Sequence, residues 1–431
     1  MEVILGLIRS RRRFTSFSLR PSRRRSVRPC LDALESRELL STTKVPKLHA
    51  LAQPAPIAPY VHPVPFGFPF YQYGFPFPKA RGPIIPQLPA TPTVSATTIP
   101  ANGDVNPYGV AIVPTNGYFF NGLLRPGDVL VSNFNNNTNV QGTGTTIVKV
   151  NPNGHTSLFY TSPVPGVGLP LAVLSDGFVV VGNAPTPDAT LAHMGKGEIQ
   201  FIDRFGHSVL TLTDPNLING PWGSAVNDHG VLDQLFVSNA LTGAITRIDV
   251  RVMPGLDQVQ LMGMTQIASG YTVTPSAAAV VLAPAGLAYD PSTDSLYVAS
   301  TGDNAIYSVS HASRTFTDSG RGSLVIADPA HLNGPIGLAL TTNGHILTTN
   351  GDAFSATPPA TLPTSALVEY TTASQFVALR SLDPNAGAAF GVALRNDFGR
   401  VTLVTVNDSL NNLNLWTIPS PRPRHGLGWW L

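Results

Sequence analysis

Residues 214–223 read DPNLINGPWG and residues 328–337 read DPAHLNGPIG. The two stretches follow one pattern position by position, 114 residues apart. Each ends in a shorter phrase that returns along the chain. Its copies are Pro107-Tyr108-Gly109-Val110-Ala111-Ile112, Pro170-Leu171-Ala172-Val173-Leu174, Pro221-Trp222-Gly223-Ser224-Ala225-Val226, Pro284-Ala285-Gly286-Leu287-Ala288-Tyr289, Pro335-Ile336-Gly337-Leu338-Ala339-Leu340 and Ala389-Phe390-Gly391-Val392-Ala393-Leu394. The copies recur every ~50 to 60 residues, a period that belongs to propellers and related arrays.

Each phrase is followed by a second apolar run: VLVSN, VVVGN, LFVSN, LYVAS, ILTTN and TLVTVN. A third follows, as in TTIVKV, EIQFID and AIYSVS, and a fourth closes most units, as in SLFYT, VLTLT and SLVIA. The runs are short, rich in β-branched residues and nearly continuously apolar, as strands packed on both faces should be. Four strands in six units predict an all-β fold, a six-bladed β-propeller with four-stranded antiparallel blades. The sixth unit supplies only three strands, whereas Thr93–Ile99 is strand-like and precedes the first. It is expected to complete the last blade as its outer strand, so that neither end of the array is left as an open edge.

The remaining sequence fits one large β-domain with appendages. Charged residues make up only 12%, with 39 Gly and 40 Pro among 431 residues. The net charge of +2 hides an asymmetry: residues 1–92 carry +10 and residues 93–431 carry −8. The acidic ring lacks the clustered cations that phosphate contact needs, so no nucleic-acid partner is expected. The single cysteine, Cys30, lies in the basic leader and permits neither an intramolecular disulfide nor a thiolate metal cage. No apolar run reaches the length of a membrane-spanning helix.

Residues 1–44 form an Arg-rich segment in which Ser10-Arg11-Arg12-Arg13-Phe14 matches the front of a twin-arginine export signal without the apolar stretch that should follow. Residues 45–92 are dense in proline, interleaved with Phe and Tyr, and are expected to be an extended or disordered linker. The propeller is placed at 93–419 and a tail, with Trp429 and Trp430, at 420–431.

Two resemblances sharpen this. Leu34-Glu35-Ser36-Arg37-Glu38-Leu39-Leu40-Ser41 resembles the L-E-x-R-x-L-L-S motif near the front of many large secreted or cell-surface bacterial proteins. The phrase P-x-G-[VIL]-A, followed by a run ending V-[AS]-[ND], resembles NHL-type repeats, best at Pro284–Tyr289 with Leu296–Ser300. The region 93–419 is similar to a family of secreted bacterial propeller proteins of unknown function, through NPYGVA, GDVLVSNFNN, GTGTTIV and LYVASTGDNAI. The aspartate of NHL repeats is mostly Asn here. These resemblances imply a place at the bacterial cell surface or outside the cell, and the chain is expected to be a monomer.

Aligning the second strands places Asn133, Asn183, Asn239, Ser300, Asn350 and Asn407 at one structural position, beside the start of the first strand and around the channel mouth. Asp128, Asp303, Asp352 and Asp408 are expected near that rim. Such a funnel suits a sugar, a small polar molecule or Ca²⁺. The competing reading is that each Asn bonds the backbone of its own turn, so that repetition reflects blade construction. The extra polar residues Asn135, Asn136, Asn137 and Asn139 form an enlarged loop of the first blade on the same face.

The sequence has no H-E-x-x-H, G-x-S-x-G, P-loop or dinucleotide motif. His155, His207 and His345 each follow a turn glycine, and the acids Glu198 and Glu369 fall in third strands away from the channel. The expectation is therefore a non-enzymatic binding propeller that presents loops to a protein or carbohydrate, with no cofactor. The alternative is a Ca²⁺-dependent lactonase-like hydrolase at the channel mouth, with Asp303 or Asp352 as its carboxylate.

Overall fold

The computed structural model describes residues 82–115, 122–351, 362–397 and 400–418. The leader, most of the linker and the tail lie outside the described residues. Six four-stranded antiparallel sheets follow in chain order. Their first strands are Val105–Ile112, Val167–Val173, Pro221–Asn227, Pro284–Asp290, Pro335–Leu340 and Ala389–Asp397. Each first strand packs against that of the next blade, and the sixth packs against the first, so the first strands line the axis of a closed ring. Val94–Thr97 pairs antiparallel with Asn412–Ile418, Val94 opposite Leu415 and Thr97 opposite Asn412. The expected closure is therefore present, and the N-terminal strand is the outer strand of blade 6.

The repeated phrase has a geometric purpose. Its proline, or Ala389 in blade 6, stands opposite the last residue of the second strand, as in Pro335 opposite Asn350, and the register then slips before pairing resumes at Leu338. The slip is a bulge, and it carries the glycine against the neighbouring blade. A Cβ on Gly109, Gly223, Gly286, Gly337 or Gly391 would lie 1.9–2.6 Å from a carbonyl oxygen of the next blade, belonging to Gly168, Ala285, Ile336, Phe390 and Tyr108 respectively. No side chain larger than hydrogen fits there.

In three blades a hydroxyl completes the contact. Ser132 Oγ accepts the Gly109 N–H at 2.9 Å and donates to Gly168 O at 2.7 Å. Thr349 repeats the arrangement between Gly337 N–H and Phe390 O. Ser238 donates to Ala285 O at 2.7 Å. The small polar residue one before the end of the second strand is thus a clamp between blades.

Blade 2 departs from the alignment made on sequence. Val167, not Pro170, stands opposite Asn183, and pairing resumes only at Leu171, so this bulge holds one residue more than that of blade 1, where Pro107 is followed by Val110. Pro170 imitates the phrase without occupying its position.

The linker also needs correction at its end. Residues 82–92 are not a structureless spacer. Ile84, Ile85 and Leu88 are buried with Leu367, Val392 and Trp416 of blades 5 and 6. A short 3₁₀ turn, Ile85–Gln87, begins over the fully buried carboxylate of Glu369, which accepts the N–H groups of Ile84 and Ile85 at 2.8–2.9 Å and lies 2.7 Å from His345 Nδ1. Arg380 donates to Leu88 O at 3.3 Å. Glu369 is therefore the anchor of an N-terminal strap, and His345 is part of that anchor as well as a turn residue.

Two measurements check this account. Gly286→Ala or Gly337→Ala should cost about 2 kcal/mol or more in denaturant unfolding, because the added methyl meets backbone rather than a movable side chain. Gly263→Ala, whose Cβ would meet nothing within 4 Å, should stay within about 0.5 kcal/mol of the parent. Glu369→Ala leaves two buried N–H groups without acceptors and should cost roughly 3 kcal/mol, with faster limited proteolysis before residue 93.

Candidate channel-mouth site

The second-strand ends lie beside the first-strand starts, as the alignment required, but their side chains do not face a ligand space. Asn133, Asn183, Asn239, Ser300, Asn350 and Asn407 are all buried, at 2% exposure or less. Each ties down the segment entering a blade. Asn239 Oδ1 accepts the Asn219 N–H at 2.8 Å, and Asn350 Oδ1 accepts the equivalent Asn333 N–H at 3.1 Å while its amide donates to His331 O. Asn133 donates to Thr98 O, Asn183 to Val164 O and Asn407 to the Asp383 carboxylate. Ser300 donates to Asp303 at 2.6 Å. The entering segment is the partner of the five asparagines, which explains why the decapeptides at 214 and 328 share their lead-in, whereas Ser300 bonds its own turn and Asn407 also accepts the Leu410 N–H of its own turn at 3.1 Å.

The rim carboxylates separate. Asp303 accepts from Thr272, Ser300 and Arg321, so its oxygens are engaged in the loop before blade 4. Asp128 precedes the second strand of blade 1 and therefore sits at the opposite end of it from Asn133, where it accepts the Arg125 N–H. Burial raises its pKa. Asp352 lies outside the described residues. Of the three that are described, Asp408 lines a cavity at the mouth, of about 260 Å³.

That cavity is built by the residue the sequence pattern left variable. The x of Pro-x-Gly, namely Tyr108, Trp222, Ala285, Ile336 and Phe390, with Leu169 in blade 2, converges in one buried cluster with Phe134. Tyr108 packs against Phe390 at 4.5 Å, Phe134 at 5.1 Å and Trp222 at 5.8 Å between ring centroids. An inserted hairpin, Thr274–Ser276 with Val280–Leu282, joins them from between blades 3 and 4. Val280 is buried at a φ of +61°, a conformation that costs a β-branched residue strain. The tip of the hairpin reaches to the opposite side of the ring, where Gln141 of blade 1 donates to Ala278 O at 2.7 Å. The mouth is therefore a bridged, blind cup, with Tyr108 and Phe390 among its walls.

Two residues of this cup carry unpartnered acceptors. Asn106 and Asn135, at 4% and 3% exposure, each bury an amide oxygen with no hydrogen-bond partner. Asn135 donates to Asn139 Oδ1, and Asn106 and Asn139 both hold left-handed backbone, which Asn tolerates. Part of the polar loop of blade 1, through Asn135 and Asn139, thus borders the cavity. The Asp408 carboxyl is pushed up to about 6 by burial alone, with no charged side chain acting on it. Among the described residues no group of three or more His, Cys, Asp or Glu is placed to hold a metal ion, and no helix is long and apolar enough to cross a membrane.

No protein-family model and no curated relative matches the chain. Solved structures resemble it at the level of the fold. An inactive variant of virginiamycin B lyase from Staphylococcus aureus with quinupristin is 14% identical, covering 75% of this chain and 99% of that one, with a TM-score of 0.43. A DUF4623 family protein from Bacteroides eggerthii is 12% identical over 74% and 72%, with a TM-score of 0.47. Regucalcin, a calcium-binding protein from Agrobacterium tumefaciens, is 15% identical over 77% and 96%, with a TM-score of 0.43. The likeness concerns the propeller fold alone.

The raised pKa of Asp408 gives a signed expectation. Its carboxyl holds its proton more tightly folded than unfolded, so ionisation opposes folding as pH rises through about 4 to 6. Asp408→Asn should raise the melting temperature at pH 8 and converge with the parent near pH 4.

Proposed function

We propose that this chain is a non-enzymatic binding propeller, exported to the cell surface or beyond, whose channel mouth takes the hydroxyl-rich end of a carbohydrate. The observation that carries this is the pairing, in one cup, of buried unpartnered amide oxygens at Asn106 and Asn135 with the rings of Tyr108 and Phe390. A sugar supplies hydroxyl donors to the first and an apolar ring face to the second. Burying amide oxygens without donors costs stability, and a ligand that donates to them recovers part of that cost. The Arg-rich leader with its L-E-x-R-x-L-L-S-like segment supports export, and the Pro-x-Gly phrase supports an NHL-type origin of the blades.

One observation favours a second reading. Burial pushes the Asp408 carboxyl up to about 6 inside the cavity, the direction a general acid needs. The lactonase-like hydrolase would then rest on this residue, since Asp303 is engaged elsewhere.

Calorimetric titration of the full chain against mono- and oligosaccharides separates the two. The binding reading expects saturable binding without turnover, weakened roughly three- to tenfold by Asn135→Ala through loss of one hydrogen bond. Lactone hydrolysis abolished by Asp408→Asn would establish the second reading instead. Retention of a protein from envelope fractions with no sugar binding would move the partner from carbohydrate to protein.

A further inference from the structure

The carbohydrate reading leaves one feature of the cup unexplained. A neutral sugar satisfies amide oxygens, but it leaves a desolvated carboxylate at Asp408 without a counter-charge. We propose, resting on that reading, that the mouth selects a protonated primary amine, so that its ligand is an amino sugar rather than a neutral one.

Three observations converge on this. Asn106 Oδ1 and Asn135 Oδ1, which have no hydrogen-bond partner, and the Asp408 carboxylate place three acceptors on residues that line the cup. An ammonium brings three donors and the charge that opposes a carboxylate, whereas a neutral hydroxyl brings no charge. Among the described residues no Lys, Arg or His lines the cavity to compete for the carboxylate. The aromatic rings of Tyr108 and Phe390 beside it favour a cation near their faces as well as the apolar face of a sugar. The net charge of −8 on residues 93–431 adds a long-range bias towards cations.

The arrangement also explains why a buried acid is kept at a position where Asn would cost less. Burial without a partner is unfavourable for a carboxylate, and an arriving ammonium converts that penalty into a charge-assisted hydrogen bond. Asp408 is then a specificity residue, while Asn106 and Asn135 recognise the remaining donors.

The test is calorimetric titration of the full chain with glucosamine, glucose and N-acetylglucosamine, in chelator, at pH 7.5 and pH 5. Glucosamine should bind roughly tenfold or more tightly than the other two at pH 7.5. The preference should shrink at pH 5, where Asp408 gains its proton. Asp408→Asn, which keeps the fold by its melting temperature, should bind all three sugars alike. Equal binding of the three by the parent, a preference that survives Asp408→Asn, or a preference that vanishes only in chelator overturns the amine assignment and leaves carbohydrate binding intact. Failure of all three to bind overturns both.

Discussion

The closed ring depends on the approach of a glycine, in five of the six blades, to a carbonyl of the next. Gly109, Gly223, Gly286, Gly337 and Gly391 each sit where a Cβ would overlap backbone oxygen, and each is delivered there by the bulge that follows the proline position. Inner strands can then pack backbone to backbone, which a six-membered ring needs at its axis. Ser132, Ser238 and Thr349 bridge the same contact from the second strand. Burial elsewhere is ordinary sheet packing, with clusters that run between neighbouring blades. Blade 2 lacks the glycine and instead carries an extra residue in its bulge.

The same bulge determines what happens at the mouth. Between a proline that ends the entering segment and a glycine that touches the next blade, the intervening side chain has only the axis to occupy. Five such side chains and Leu169 of blade 2 meet there, and because Tyr108, Trp222 and Phe390 are large, they close the channel with the help of Phe134 and Val280. What remains open is a shallow cup above them. Its polar wall comes from the start of a first strand, at Asn106, and from the ends of second strands, at Asn135 and Asp408. The proposed binding site is thus a by-product of ring closure, given its chemistry by blade-specific residues.

Much of this was legible in the sequence and some of it could not be. Short apolar runs at a fixed period gave the number of blades, and the missing fourth strand of blade 6 pointed to Thr93–Ile99. Repetition also located the asparagines at the correct strand ends. It said nothing of which way their side chains turn, and Asn239 and Asn350 turn into the entering segment. Pro170 misleads because it reproduces the phrase three residues past Val167, which holds the proline position in blade 2. The variable x of Pro-x-Gly carried the channel chemistry, and its signal, an apolar residue in every copy, was overlooked in favour of the invariant positions. The contact of Glu369 with Ile84, 285 residues apart, leaves no local trace at all. Nor does the span of the hairpin at 274–282 to Gln141. Local pattern records construction, whereas the site arises from blade-specific departures brought together by closure.

The central claim is that the mouth, rather than a blade edge or the opposite face, is where this propeller meets its ligand. The most direct measurement is a crystal structure of the full chain grown with saturating amino sugar. The account predicts an ordered sugar in the cup, its amine within hydrogen-bond distance of the Asp408 carboxylate and its ring beside Tyr108 or Phe390. A sugar ordered elsewhere on the ring, with only solvent against Asn106, Asn135 and Asp408, would contradict it.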